Sequence, residues 1–367
     1  MLHLQQFLLD HPTDWKALLT APPYALEVRE KDDLVLFAYN QIESKFEHEL
    51  VCEARGIILE RDNWIHVVAM AYQKFWNQGE RLAASIDWAT ARVQEKIDGS
   101  ILKCFYHKGE WRLSSMSMID AHECTLQNDL CKEYKTFWDL FQVAAVQAGL
   151  NIGTLNKGYT YVFELCSQYN RVVVPHKDIK IYHTGTRDNE TLQELDVDIG
   201  VPKPREFKFS SMEETLEMAK TLPFNEEGYV VVDGSWNRVK IKSPAYLVIH
   251  RMSNNGRTNK KRALELILLQ EHHEFLIYYN EYKPFFDEIE AVVKDYVARV
   301  YADIDAVAKM TFTTKKDYAL HVKGLTNPGI MFLLWDKRVT RDTWYKQWVE
   351  NTQTDNVMKA LKLKSEE

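Results

Sequence analysis

The chain has 367 residues, of which 46% are hydrophobic and 12% aromatic, and its formal net charge is −7. This composition is sufficient for a buried core in one large or two ordinary domains, and it argues against global disorder. The acidic balance argues against a protein that coats nucleic acid through a uniformly basic surface, but it is compatible with a local basic cleft.

The five cysteines form no CxxC pair and their number is odd. We therefore expect reduced thiols and a cytoplasmic protein, in the host-cell cytoplasm if the source is viral, and the spacing does not favour a zinc site. No apolar run approaches the roughly 20 residues of a membrane span, and the N-terminal stretch lacks the pattern of a signal peptide. We expect neither a membrane nor an obligate protein partner.

Short runs of alternating or apolar residues predict β-strands in the first part of the chain, at 33–39 (DLVLFAY), 64–69 (WIHVVA) and 159–165 (YTYVFEL). In the third run, Glu164 alternates with residues suited to burial. A carboxylate in that position needs a partner, which would be a ribose hydroxyl, a cation or a structural salt bridge.

The segment 94–100, QEKIDGS, is the first candidate for chemistry. If it is extended, Lys96 and Asp98 face together, and Gly99 lets the backbone approach a ligand. A lysine attacks only as the free amine, and burial together with nearby cations would lower its pKa toward that state. By itself the pattern K-x-D-G-S is expected by chance in roughly one such chain in two hundred, and a surface turn is the alternative.

Residues 224–243 predict a β-hairpin, because two β-branched runs flank an Asp-Gly-Ser turn. Alternation places Lys240 and Lys242 on one face of its second strand, and it places Glu227 on the same face as Tyr229 in the first strand. Two lysines beside a carboxylate would suit a polyphosphate and its metal, and a solvated sheet face is the alternative.

The C-terminal part of the chain has a different pattern. Residues 251–262 contain five Lys or Arg and no acid, which indicates a connector or the rim of a cleft. Apolar residues then recur at three- and four-residue steps from Ile289 to Val307 and predict an amphipathic helix. Asn327-Pro328-Gly329 predicts a turn.

Four segments stand in a fixed order: Lys-x-Asp-Gly-Ser at 96–100, a strand with Glu near its end at 159–165, Glu-Gly-Tyr-Val-Val at 227–231, and Lys-Ile-Lys at 240–242. They resemble motifs I, IIIa, IV and V of the covalent nucleotidyltransferases, a superfamily that comprises polynucleotide ligases and messenger-RNA capping enzymes. The closer resemblance is to the RNA ligase 1 family of T-even phage type. It is carried by LFAYN (36–40), CEARGIILE (52–60), YQKFWNQGE (72–80), FELCSQYNRVVV (163–174) and RVKIKSPAYLVIH (238–250).

The resemblance runs from about residue 30 to 250 and implies an α+β fold. Residues 1–250 would form an adenylyltransferase domain of antiparallel sheets with flanking helices, and residues 251–367 an all-α domain that recognises RNA. The implied function is ATP-dependent RNA ligation, which joins 3′-hydroxyl and 5′-phosphate ends through lysyl-AMP and RNA-adenylate intermediates with Mg²⁺ or Mn²⁺. The implied substrate is broken RNA, such as a cleaved transfer RNA.

The resemblance also implies roles for individual residues. Lys96 would form the phosphoramidate with AMP, and Asp98 would orient its loop. The other implied contacts hold the nucleotide and its metal: Arg55 and Lys74 at the outer phosphates of ATP, Tyr39 and Glu164 at the nucleotide seat, Lys240 and Lys242 at the α-phosphate, and Glu227 at the metal.

Two segments depart from the family pattern. Met116 stands near the position where the family often has a basic residue, so a phosphate contact is expected to be missing or supplied elsewhere. In the helical domain the family can offer an acidic metal ligand, and this chain has His272-His273-Glu274 there. Glu274 is the candidate ligand, and a solvated helix face is the alternative reading of the two histidines.

Three alternatives share parts of this pattern. DNA ligases and capping guanylyltransferases usually append a β-barrel domain after motif V, where this chain continues with predicted helices. A non-catalytic RNA-binding protein of the same fold would use the cationic strand and residues 251–262 for phosphate contacts. A covalent adenylate formed from ATP and Mg²⁺ would discriminate a ligase from the binding protein.

Overall fold

The computed structural model describes residues 1–41, 43–126, 133–254, 257–258, 260–268, 272, 276 and 282–363. It divides the chain into two compact units, Met1–His250 and Arg251–Glu367. Within the described ranges, no helix has the length and apolar character that a membrane span requires. The cysteines in these ranges are free thiols: Cys52, Cys104, Cys124 and Cys166.

The first sheet of unit 1 is antiparallel and keeps its four strands in chain order: β1 Leu26–Lys31, β2 Leu34–Tyr39, β3 Arg55–Glu60 and β4 Asn63–Ala69. Three short helices accompany it: α1 His3–Asp10, α2 Trp15–Thr20 and α3 Glu49–Glu53. Leu4 of α1 and Leu19 of α2 are fully buried in one cluster with Phe37 of β2, so these helices cover one face of the sheet. The strands predicted at 33–39 and 64–69 are confirmed.

The second sheet has the order β11-β10-β9-β7-β8, with β7 Ser100–His107, β8 Glu110–Ser114, β9 Tyr159–Cys166, β10 Lys180–Asp188 and β11 Glu194–Leu195. Helix α4, Phe137–Gln147, begins at a Thr136 cap whose side chain accepts from the Asp139 amide. Its apolar side packs on the face of β9 that presents Phe163 and Leu165. Glu164, between these two residues, therefore lies on the opposite face, as the sequence predicted.

The third sheet has the order β12-β6-β13-β14-β5, with β5 Trp76–Asn77, β6 Arg92–Glu95, β12 Glu206–Phe207, β13 Gly228–Val232 and β14 Arg238–Lys242. Strands β13 and β14 form the predicted hairpin, and only β14 and β5 are parallel among the described pairs of this sheet. Helix α5, Met212–Thr221, packs beside it through Ala219. The buried Val239 and Ile241 alternate with the less buried Lys240 and Lys242, as predicted.

Helix α6, Pro244–Met252, follows the hairpin, and most of unit 2 is helical. After a two-stranded ribbon of β15 (Ser253–Asn254) and β16 (Arg257–Thr258), the described helices are α7 Lys260–Leu268, α8 Lys283–Val307, α9 Lys315–Val322, α10 Pro328–Trp335, α11 Trp344–Asn351 and α12 Thr354–Ala360. The ribbon is an exception to the all-α prediction. Helix α8 confirms the amphipathic pattern, because Ile289, Val293 and Val300 are buried on one side.

The turn predicted at Asn327-Pro328-Gly329 is wrong, because these residues begin helix α10. The Asn327 side chain accepts a hydrogen bond from the Ile330 amide at 3.1 Å and so caps the helix. Pro328 occupies the first helical position, where its missing N–H leaves no bond unmade.

Candidate active site

Lys96 lies where the third sheet passes into the second. It follows β6 directly, and β7 begins at Ser100 after the short loop that contains Asp98 and Gly99. The Lys96 amide donates to the Gly228 carbonyl oxygen at 2.9 Å, which fixes the loop against the predicted metal-binding segment. The candidate site is therefore built at the junction of two antiparallel sheets.

The Glu227 carboxylate forms ion pairs with two of the predicted lysines. Its carboxylate is 4% exposed, with Oε2 at 2.7 Å from Lys96 Nζ and Oε1 at 3.0 Å from Lys242 Nζ. Burial raises the pKa of Glu227, but the charges of Lys96 and Lys242 outweigh burial and leave the pKa below its usual range. The structure thus brings the predicted nucleophile, a predicted phosphate contact and the predicted metal ligand into direct contact.

The prediction that burial and nearby lysines give Lys96 a depressed pKa is wrong for this state of the chain. Burial does lower the pKa of Lys96, but the carboxylates of Glu227 and Glu164 outweigh it and hold the pKa above its ordinary value. The predicted shift counted burial and the charges of Lys240 and Lys242 but not the charge of Glu227, whose carboxylate pairs with Lys96. In this state Lys96 is an ammonium ion paired with Glu227.

The predicted face of Glu227 is also wrong. Tyr229 and Val231 pack in the hydrophobic cluster of the third sheet, whereas Glu227 pairs with Lys242. The reason is Gly228, the first residue of β13, whose φ of +141° interrupts the strand alternation between Glu227 and Tyr229. This conformation is open to glycine and strained for other residues.

We expect Gly228→Ala to lower the free energy of unfolding by at least about 2 kcal/mol, because a Cβ there would collide with the Ile241 carbonyl oxygen in an already strained conformation. Denaturant unfolding measures the change. Gly158→Ala is the matched control, since its Cβ would meet only the Asn156 side chain at an ordinary 3.5 Å. Equal stability of the two variants would contradict the assigned backbone strain.

Glu164 is the second acid of the site, and it is half-buried. Burial raises its pKa to about 8, Lys96 opposes that rise, and Glu227 adds to it. Among the described residues its carboxylate has no hydrogen-bond or ion-pair partner, so the structural salt bridge is not formed there. A Cβ at Gly99 would come within 2.5 Å of the Leu165 carbonyl oxygen and 3.1 Å of Glu164 Cγ, which explains the glycine in the loop. The unpaired acid fits a ribose hydroxyl or a cation.

Asp98 positions the loop that carries Lys96. Its Oδ2 accepts from the amides of Val173 and Val174 at 2.9 and 2.7 Å, and its Oδ1 accepts from the Tyr246 hydroxyl at 2.9 Å. The Asn170 side chain donates to Ser100 Oγ at 2.9 Å. These contacts are consistent with an orienting role for Asp98.

Lys240 lies in the same group of cations. Burial lowers its pKa to about 8, and repulsion from Lys96, Lys242, Lys74 and Arg55 adds to the effect. A group of cations that repel one another is a suitable receptor for phosphate oxygens, because an anion relieves the repulsion.

Arg55 and Lys74 lie among aromatic rings. The Arg55 guanidinium stands 5.6 Å from the Tyr72 ring centroid, and its Nη1 is buried with no hydrogen-bond partner in the described part of the chain. Lys74 Nζ lies 4.6 Å from the Tyr39 ring and 4.3 Å from the Phe46 ring. The two predicted nucleotide contacts Tyr39 and Lys74 are therefore neighbours, and the orphaned Arg55 nitrogen fits a phosphate oxygen.

The acid predicted in the helical domain, Glu274, lies outside the described residues, as does His273. His272 is 3% exposed, so the solvated-face reading of that histidine is wrong. The described residues contain no cluster of three or more His, Cys, Asp or Glu that could hold a metal by themselves.

Three residues of this region were not singled out in the sequence. Tyr246 bonds Asp98, which is 148 residues away in the sequence, and Asn170 bonds Ser100, which is 70 residues away. No local sequence pattern indicates such contacts. Lys103 is 2% exposed and donates to the Ser115 carbonyl oxygen at 2.7 Å and to that of Gly56. Burial and the nearby Arg55 lower its pKa to about 7.

We expect Lys103→Met to gain stability relative to the wild type as the pH falls. The folded pKa of Lys103, about 7, lies below its ordinary value of 10.5, so its contribution to folding is fully present above pH 10.5 and is lost as the pH falls toward 7. Between pH 9 and pH 6 the stability of the variant relative to the wild type should rise by about 2 to 3 kcal/mol. Denaturant unfolding at each pH measures it, and Lys208→Met, at an exposed site, is the control. If the difference in unfolding free energy between Lys103→Met and the wild type did not change with pH, the lowered pKa of the buried Lys103 amine would be contradicted.

A family model described as RNA ligase matches residues 53–246, slightly more than half of the chain. The chain belongs to this RNA ligase family. The matched range includes Lys96, Glu164, Glu227, Lys240 and Lys242, so the family resemblance drawn from these motifs is confirmed.

Relatives of this RNA ligase family member carry names of the same kind. The chain is 29% identical to a protein of Autographa californica nuclear polyhedrosis virus named a putative bifunctional polynucleotide kinase/RNA ligase, over 80% of this chain and 42% of the relative. It therefore spans less than half the length of that relative. It is 24% identical to an RNA ligase of Rhodothermus phage RM378, over 88% of this chain and 87% of the relative.

Solved structures similar to this RNA ligase family member share little sequence with it. A putative ATP-dependent DNA ligase of Aquifex aeolicus gives a TM-score of 0.45 at 13% identity and covers 76% of this chain and 77% of its own. An archaeal ATP-dependent RNA ligase gives a TM-score of 0.40 at 13% identity, and the match covers 73% of this chain and 68% of the archaeal one. A Naegleria gruberi RNA ligase with ATP and Mn gives a TM-score of 0.34 at 16% identity, and the match covers 46% of this chain and 52% of the Naegleria one.

Proposed function

We propose that the chain is an ATP-dependent RNA ligase that joins a 3′-hydroxyl to a 5′-phosphate. The observation that carries the proposal is the contact of Lys96 with Glu227 and Lys242 at the sheet junction, inside the range that matches the RNA ligase family. Among the described residues, neither the Glu164 carboxylate nor Arg55 Nη1 has a hydrogen-bond partner, which supports a nucleoside triphosphate as the first substrate.

Lys96 supplies the nucleophile of the first step. Its neutral amine attacks the α-phosphorus of ATP, the N–P bond forms, the bond to pyrophosphate breaks, and the amine proton is released. Lys96 must first lose its proton and leave the ion pair with Glu227, which is 2.7 Å away. Lys240 and Lys242 would hold the α-phosphate, while Arg55 and Lys74 would hold the outer phosphates that depart.

Glu227 would hold the divalent cation, Mg²⁺ or Mn²⁺. A bound cation neutralises charge on the phosphate oxygens and competes with the Lys96 ammonium for the same carboxylate. Glu164 would bind the ribose, and Tyr39 would help to seat the nucleotide beside Lys74. Asp98 keeps the loop in place through its bonds to Val173 and Val174, so Lys96 can move while its backbone stays fixed.

The two remaining steps use the same phosphate receptor. The RNA 5′-phosphate displaces Lys96 from AMP, which gives a 5′-to-5′ RNA-adenylate and restores the amine. A 3′-hydroxyl then attacks the RNA 5′-phosphorus, a phosphodiester forms and AMP leaves. The Arg251–Glu367 unit would recognise the RNA, and the role would be repair of cleaved RNA such as transfer RNA in the cytoplasm.

The test begins with ATP, Mg²⁺ and the purified chain. We expect an intact-mass increase of one adenylate, followed by joining of a 5′-phosphorylated single-stranded RNA in preference to DNA. Parallel reactions with a nicked duplex and a cleaved transfer RNA rank the substrates. An adduct from GTP alone would indicate a guanylyltransferase, joining of DNA alone a DNA ligase, and RNA binding without any adduct a non-catalytic binding protein.

A further inference from the structure

A cavity of about 670 Å³ lies in unit 1 between the C-terminal half of α4 and strand β10. Its volume falls within the roughly 300–1,000 Å³ of small-ligand sites. Ala144, Ala148 and Ile181 line it, and they belong to the same hydrophobic cluster as Leu165 of β9. The cavity therefore has an apolar floor on the α4 side of the second sheet.

This cavity is separate from the proposed nucleotide seat. Leu165 faces α4, so the adjacent Glu164 must face the other side of the same sheet, toward Lys96 and Glu227. None of the nucleotide-binding residues proposed above lines the cavity. A ligand in it would be a second one, bound in addition to ATP.

The rim offers the groups that recognise single-stranded nucleic acid. The rings of Tyr134 and Tyr169 have centroids 5.6 Å apart and line the cavity together with the amides of Gln147 and Gln168. In the part of the chain that the structure describes, neither amide side chain has a hydrogen-bond partner. Tyrosine rings can stack with any base, and amides can bond base edges.

The charge at the rim is positive. Lys177 is exposed and makes no ion pair with any described residue, which leaves its ammonium available for a phosphate. The acid in the lining, Asp178, already pairs with Lys180 at 2.9 Å. One unpaired cation beside two rings and two amides matches one or two nucleotides better than an apolar small molecule.

One loop connects the cavity to the nucleophile. Residues 167–176 run from the cavity wall at Gln168 and Tyr169, through Asn170, which donates to Ser100 Oγ, to the two amides that hold Asp98. Lys177, at the far end of this loop, lines the cavity again. A nucleotide bound there would lie against the segment that positions Lys96.

We propose that this cavity is a subsite for nucleotides of a single-stranded RNA, on the opposite face of the second sheet from the nucleotide seat and connected to it by the 167–176 loop. The inference rests on the proposed ligase function for the identity of the polymer, and on the cavity itself for its location. A base stacks on the ring of Tyr134 or of Tyr169, which are inclined at 60° to each other, the glutamine amides contact its edge, and Lys177 contacts the backbone phosphate. Bound RNA is thereby held against the 167–176 loop, which contacts the loop of motif I.

The test measures binding of a labelled 5′-phosphorylated single-stranded RNA to the full chain at several salt concentrations. We expect Tyr169→Ala to weaken binding about 5- to 100-fold, the range of one lost base stack. Ala148→Phe, at the C-terminal cap of α4 and outside the 167–176 loop, should fill the cavity and weaken binding to a similar degree. Lys177→Ala should lower the salt-dependence slope by about 0.7, and Lys208→Ala, an exposed lysine elsewhere in unit 1, should leave it unchanged.

Lysyl-AMP formation by each variant is measured in parallel, and 4-thiouridine RNA supplies crosslinks for peptide mapping. We expect Ala148→Phe and Lys177→Ala to form lysyl-AMP within twofold of the wild type, and crosslinks to reach Tyr134 or Tyr169. RNA affinity within twofold of the wild type in both Tyr169→Ala and Ala148→Phe, or crosslinks confined to Arg251–Glu367, would overturn the subsite. A wild type that binds RNA but forms no adenylate would overturn the ligase function alone.

Discussion

Lys96→Ala is expected to abolish the covalent adenylate, with a loss of at least about 1,000-fold in its rate of formation. Lys96 is the predicted nucleophile, and it is paired with the carboxylate that is proposed to hold the metal. Alanine removes the attacking nitrogen, so no neighbouring cation can replace it. Gel autoradiography with α-labelled ATP and intact-mass spectrometry both measure the adduct.

The same variant separates lost chemistry from lost folding. RNA that already carries a 5′-adenylate needs no attack by Lys96, so Lys96→Ala should join it at least about 100 times faster than 5′-phosphate RNA. Lys208→Ala, which removes an exposed lysine, should form the adduct at the wild-type rate. An adduct that survives in Lys96→Ala would refute Lys96 as the nucleophile, and failure on both RNAs would indicate misfolding.

The side-chain directions of several site residues could be predicted because successive residues of a β-strand point to opposite faces of the sheet. That pattern separates Glu164 from the buried face of β9 and separates Lys240 and Lys242 from Val239 and Ile241. The same rule gives the wrong face for Glu227, since Glu227 precedes β13 and the first residue of that strand, Gly228, has a positive φ. Alternation therefore predicts side-chain direction only inside a strand, and functional acids at strand ends escape it.

The charge balance of the site could not be predicted from local sequence. Glu227 is 131 residues from Lys96, and only the folded chain brings its carboxylate to the amine and reverses the expected direction of the pKa shift. The contact of Tyr246 with Asp98 spans 148 residues and is equally invisible. Lys103 did leave a signal, because alternation in β7 places it on one face with Ile101 and Phe105. A lysine between two apolar neighbours of the same face indicates a buried amine.

Glu227→Gln is expected to have the second large effect, on both proton affinity and catalysis. The amide keeps the size of the side chain but removes the charge that holds the pKa of Lys96 up. Burial of Lys96 is then opposed only by the weaker attraction of Glu164 and Asp98, so the pKa of Lys96 should fall. Competitive labelling with acetic anhydride, followed by peptide mass spectrometry, measures that pKa as the pH midpoint of Lys96 modification.

The lower pKa of Lys96 in Glu227→Gln increases the fraction of neutral amine but should not restore lysyl-AMP formation. Because the variant also loses the proposed metal ligand, lysyl-AMP formation should fall about 100-fold or more even at pH values where Lys96 is neutral. Glu226→Gln is the matched control, since the adjacent Glu226 pairs with Arg205 at 3.3 Å and not with Lys96. A labelling midpoint that stays constant or rises in Glu227→Gln would contradict the ion pair as the source of the raised pKa. A downward shift with normal adenylation would keep the ion pair and remove the metal role from Glu227.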